Sequence, residues 1–144
     1  MTITRETYYA PLWNLAKASL SFVTFSRRVR LMQDLEDAEL PAIFMAVHDQ
    51  DVKQSLNLPG KYSLGAEIYL YCANPDQETS ADIALNGLID ALEEALAPAP
   101  AFQTQNLGLD DVAHCWIAGK IEIYQSPNGT RAAAIVPIDM LVFG

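Results

Sequence analysis

Little in this chain of 144 residues is suited to covalent chemistry. There are two cysteines, Cys72 and Cys115, and two histidines, His48 and His114. Two cysteines with no second pair nearby do not make a structural zinc site. The expectation for both is a buried, reduced thiol acting as a small hydrophobe, not a disulfide. His114 and Cys115 are adjacent in a predicted strand and so point to opposite faces, which is wrong for a nucleophile and its base. Nothing in the spacing brings His48 to Cys115. The chain has no GxxxxGK[ST], GxGxxG or GxSxG run, and Asp49 and Asp51 lack the spacing of a calcium loop. The expectation is no catalytic residue, no cofactor and no metal.

No apolar run approaches the roughly 18 residues of a membrane-spanning helix. The opening Met1-Thr2-Ile3-Thr4-Arg5-Glu6 lacks the basic and then hydrophobic regions of a secretion signal, so a cytosolic setting with no membrane is expected. Positive charge is also scarce: nine Lys and Arg face eighteen Asp and Glu, for a net charge of −9. The distribution is uneven. Residues 1–31 carry +4, from Arg5, Lys17, Arg27, Arg28 and Arg30 against Glu6, while residues 32–144 carry −13. An acidic chain is a poor ligand for nucleic acid, whose phosphates need a positive face. The split supplies either a solvated acidic surface or two surfaces of opposite sign that meet between subunits.

Apolar residues are plentiful, at 51%, and the length suits one domain spanning 1–144 with a single core. Tyr8, Leu12 and Leu15 recur at helical spacing, with Trp13 beside them, and predict a helix over 5–18 capped by Thr4. Pro11 should begin or kink that helix. Arg27–Met32 alternates like a short strand, Gln33–Leu40 reads as an acidic loop, and Pro41 opens a strand through His48. Asp49–Tyr62 is a polar loop of about fourteen residues, a length that often marks function. Leu64–Asn74 alternates strictly, with Leu64, Ala66, Ile68, Leu70 and Cys72 on one face and Glu67, Tyr69 and Tyr71 on the other. A helix over 80–97 carries the stripe Leu85, Leu88, Ile89, Leu92 and Leu96, is capped by Ser80 and is stopped by Pro98 and Pro100. Its Glu93 and Glu94 read as solvated. A loop from Ala99 to Leu109 follows. Two long β runs then flank Asn128-Gly129, the strongest short-range hairpin signal. The fold class implied is α+β: a mainly antiparallel sheet of about five strands, with an N-terminal helix and one long central helix packed on one face.

Six residues stand out as candidates for an interface. Arg27, Arg28 and Arg30 crowd three cations into four positions of an acidic chain. Leu56 and Leu58 are apolar residues in a polar loop. Trp13, with Tyr8 and Tyr9, reads either as helix packing or as an aromatic hot spot.

Several segments, taken in order, resemble a known family. They are Ser26-Arg27-Arg28-Val29-Arg30, Leu40-Pro41-Ala42-Ile43-Phe44, Leu88 through Pro98, His114-Cys115-Trp116-Ile117-Ala118-Gly119 and Ala134-Ile135-Val136-Pro137-Ile138. In that order and spacing the chain resembles the tail terminator proteins of long-tailed phages, the lambda-type tail completion family, over nearly its whole length. The resemblance implies a homo-oligomer, a hexameric ring, that caps the tail tube. It further implies a tail tube protein and a head–tail connector or neck protein as partners. The place implied is the head-proximal end of the virion's tail, assembled in the host cytoplasm. DNA would pass through the lumen without sequence-specific binding. The alternatives are another ring or tube component of a phage tail or neck, or a small ligand-binding domain.

Overall fold

The computed structural model describes residues 3–74, 79–98 and 104–144. Helix α1 spans Glu6–Lys17 and helix α2 Ala81–Leu96. Six strands form one sheet: β1 Thr24–Ser26, β2 Ala42–Lys53, β3 Lys61–Ala73, β4 Val112–Ile117, β5 Glu122–Gln125 and β6 Arg131–Phe143. The order across the sheet is β1-β2-β3-β6-β4, with β5 beside β4 on the same side of β6. Every pairing is antiparallel except β1 with β2, which is parallel, so the sheet is mixed and has six strands where about five were expected.

The alternation in β3 does what its pattern predicts. Leu64, Ala66, Ile68, Leu70 and Cys72 are all buried under the helices. Both helices lie on that one face. From α1 come Tyr8, Tyr9, Leu12, Trp13 and Ala16, and from α2 come Leu85, Leu88, Leu92 and Leu96, all in one cluster with β3 and β6. Two helices on one face are what the sequence led us to expect, but α2 shares that face with α1 and is not clearly central.

Local differences from the expectation have physical causes. Helix α1 neither begins nor ends at Pro11, because the flanking Tyr8, Tyr9, Leu12 and Trp13 all have places in the core. Its cap position is Arg5, and neither it nor Ser80 of α2 makes a side-chain capping bond. Instead the first amide of α2, on Ala81, donates to the carbonyl of Gly129 at 2.9 Å. The hairpin turn thus fills the capping role. Gly129 has φ of +71°, a conformation that favours glycine in this turn.

The first strand is Thr24–Ser26, so Arg27–Met32 is not a strand. Two 3-10 turns, Met32–Asp34 and Asp37–Glu39, occupy the expected acidic loop. The fourteen-residue loop is largely strand: β2 runs to Lys53 and β3 starts at Lys61, leaving residues 54–60 as the connection. A bulge after Val47 lets β2 continue. Gly65 faces it across the ladder, where an added Cβ would come within 2.6 Å of the Asp49 carbonyl oxygen. The run from His114 to Tyr124 is broken at Gly119, φ +109°, into β4 and β5. Pro98 follows α2 as expected; Pro100 and residues 99–103 of the predicted loop lie outside the described residues.

Candidate interaction surface

The groups able to do chemistry do not converge. Cys72 and Cys115 are free and buried, as expected. Burial pushes the Cys115 thiol up to about 12 and the Cys72 thiol up to about 11, so neither is a nucleophile near neutral pH. His114 accepts the Gln105 amide at its Nδ1 and stacks on Trp116, while His48 lies 3.1 Å from Glu67 across the sheet. Among the described residues no three metal-binding side chains cluster, and no helix is long and apolar enough to cross a membrane.

The three arginines follow β1 and separate in role. Arg27 pairs with Glu6 at the start of α1 and holds that carboxyl below the usual carboxylate range. Arg30 bonds Glu39 at 2.9 Å. The Glu36 amide and Arg30 together lower the Glu39 carboxyl. Arg28 has no side-chain partner among the described residues, so of the three it keeps its charge available. It is exposed, and three residues before it Phe25 carries the Lys17 ammonium over its ring.

Trp13 is 8% exposed and is spent on the core. Leu56 and Leu58 have the opposite placement. They sit on the 54–60 connection, 90% and 63% exposed. The connection projects from one end of the β2–β3 hairpin. It lies about ten residues along β2 from the β1 end, a distance on the order of 33 Å.

A residue the sequence did not flag holds the second face of the sheet. Arg131, at the start of β6, donates to the carbonyls of Met32 and Leu35 at 2.8 and 2.6 Å, and twice to Asp37. Tyr71 adds a bond from its hydroxyl to the Arg30 carbonyl at 2.8 Å. These polar stitches tie the 29–40 segment over Phe44 and Tyr71, so that Leu35 and Leu40 become buried. A lone arginine after a turn carries no sequence signal for this.

Apolar residues are exposed at both edges of the sheet: Val23 and Phe25 at one, Ile123 and Tyr124 of β5 at the other, where the neighbouring β4 is partly paired through the Cys115 amide to the Gln105 carbonyl at 2.8 Å. Beside that second edge a cavity of about 410 Å³ lies between the end of α2 and β4, lined by Leu96, Pro98, Ile117, Ile121 and the carboxylate-bearing Glu93 among others.

This arrangement, a mixed six-stranded sheet with two helices on one face, is an α+β fold. No protein-family model matches the chain, and no curated protein matches it in sequence. A solved structure, the virion of a native gene transfer agent (GTA) particle, contains a chain of similar fold. The TM-score is 0.52 over 94% of this chain and 93% of that one, at 12% sequence identity. The likeness is one of fold.

Proposed function

We propose that this protein is a structural component of a phage-like virion that forms a ring on the tail tube. The ring ends tube growth and offers a docking face to the head-side connector. The observation that carries the reading is the end-to-end likeness of fold to a chain of a virion particle. The order of sequence segments that resembles the tail terminators agrees with it.

A tube built from identical head-to-tail contacts has no internal stop. A cap needs one surface that matches the tube and one that does not propagate. In this reading the apolar tip with Leu56 and Leu58 meets the tube, and Arg28 works at contacts between subunits. The acidic remainder lets DNA pass without sticking.

The test is a particle made without the protein. Tails of uncontrolled length that fail to join heads are expected in electron micrographs, while DNA packaging proceeds. Tails of normal length would instead favour a neck or tube component, and no tail defect at all would favour a ligand-binding domain. Leu56→Ser with Leu58→Ser, or Arg28→Glu alone, should block assembly and shift the melting point little, since exposed positions contribute within about 0.5 kcal/mol.

A further inference from the structure

We propose that copies of this chain join edge to edge, β1 of one against β5 of the next, with Phe25 seated beside the next copy's α2–β4 cavity. This rests on the ring reading and names the contact that closes it.

Three observations converge. The first is register. Phe25 lies level with Ile43, Ile43 with Leu70, Leu70 with Ala134 and Ala134 with Ile123. One row of residues therefore crosses the whole sheet, and β1 and β5 are its two ends. Asn74 donates to Thr130 and Ser126 to Arg131. Because bonded and non-bonded pairs alternate along antiparallel ladders, those two bonds fix which way each amide in the row points. Ile123 turns its N–H and C=O away from β6, and Ile43 turns its own toward β1, which leaves those of Phe25 facing out. Among the described residues, both ends of the row thus present unpaired main chain.

The second is direction and face. β1 runs parallel to β2, and β5 runs opposite to β6, so β1 and β5 point in opposite senses. A neighbour turned about an axis along the strands would bring them together as an antiparallel pair. Phe25 and Ile123 are on the same face of the sheet, the one that carries the helices. Phe25, 55% exposed, would meet Ile123, 52% exposed, on the face where Ile117 and Ile121 line the cavity.

The third is charge. Lys17 rides over Phe25, and Arg28 follows β1. On that same helix face the receiving edge carries Glu93 in the cavity wall, while Glu122 of β5 lies on the opposite face of the strand. The two edges are unlike and complementary, which is the property of a head-to-tail contact that closes into a ring.

The experiment pairs two variants with a mass measurement on the full chain, alone and with the tube protein. Ile123→Pro removes an outward amide and no bond to β6, so the monomer should keep its circular dichroism and melting point. Its ring formation should weaken about tenfold or more, as expected for a lost main-chain bond repeated at every contact. Phe25→Cys with Ile123→Cys, mildly oxidised, should give covalent multimers up to the ring, and either cysteine alone should give none; Cys72 and Cys115 are too buried to interfere. Rings without covalent multimers, and unaffected by Ile123→Pro, would overturn this contact and leave the ring standing. A wild-type chain that stays single in every condition would remove both. If Ile123→Pro fails to fold, the cysteine pair decides alone.

Discussion

On its helix face the sheet gives Ile68, Leu70, Val136 and Met140 to two helices, and no polar side chain is buried among them. On its other face Phe44 and Tyr71 meet Leu35 and Leu40, which arrive on a segment with only two short 3-10 turns. The first cover holds itself in place mainly by area, with the Tyr9 hydroxyl donating to the Gly65 carbonyl at 2.8 Å and the Ala81 amide to that of Gly129 at 2.9 Å. The second is too small for that, and Arg131 and Tyr71 fasten it by its main chain, while the Arg30–Glu39 pair braces the segment internally. A sheet face can thus be closed by burying many apolar groups, or by a few directed bonds over a few such groups. The two kinds of closure should fail differently.

The largest effect is expected on the helix face. Leu92→Ala removes a fully buried side chain between α2 and the sheet, and should lower the free energy of unfolding by about 3 kcal/mol. Urea titration should show one cooperative transition moved to lower denaturant, with its slope unchanged. A loss under about 1 kcal/mol would mean that the helix cover is loose.

Arg131→Ala should cost less, about 2 kcal/mol, in line with hydrogen bonds made by a charged donor. Its signature should be local. Amides near Leu35 and Leu40 should exchange faster with solvent while those of β3 and β6 stay protected. Uniform acceleration throughout the sheet would erase the distinction between the two faces.

Alkaline pH should sharpen the contrast further. The Cys115 thiol is raised to about 12, chiefly by burial with Asp139 adding to it, and the Cys72 thiol is raised to about 11. Both lie on the helix face. A folded value above the unfolded one means that this stability is fully present below about 9 and is lost as pH rises toward 12. Each thiol should contribute a slope of about 1.4 kcal/mol per pH unit inside that window. Cys115→Val should therefore flatten the decline between pH 10 and 11 by about that amount, read from urea midpoints. An unchanged slope would place the titrating group elsewhere.

Periodicity made the helix face legible in advance. The alternation Leu64–Cys72 and the stripe Leu85–Leu96 each specify which side is buried, because a helix or strand repeats its environment at a fixed interval. The Asn128-Gly129 turn was legible for the same kind of reason, since few residues accept its backbone. The 29–40 segment has no period. Its place depends on Arg131, about a hundred positions away, and Arg27–Met32 alternated by coincidence. Lys53 and Lys61 were hidden inside strands because polar residues at the rim of a hairpin look like a loop. Among the interface candidates, Leu56, Leu58 and Arg28 lie exposed. Trp13 is core, Arg27 and Arg30 are each paired within the chain, and the row joining Phe25 to Ile123 emerges only once the register is known.

Strand β6 sets the timetable by which this molecule comes into being. Its thirteen residues are flanked by β3 along their full length on one side and by β5 and then β4 on the other. It is also made after all five of the other strands. While the ribosome is still adding residues 131–143, β4 and β5 lack the one strand they pair with, and the leucines of α2 have only part of their bed. At about 5–20 residues per second, the nascent chain waits roughly one to three seconds with its apolar stripes and strand margins uncovered. Folding is then a late insertion, in which one strand closes a gap between segments already synthesised, through contacts that are mostly distant in sequence. A cell that makes many copies at once must shield that interval, so demand for holding chaperones should rise with the rate of synthesis.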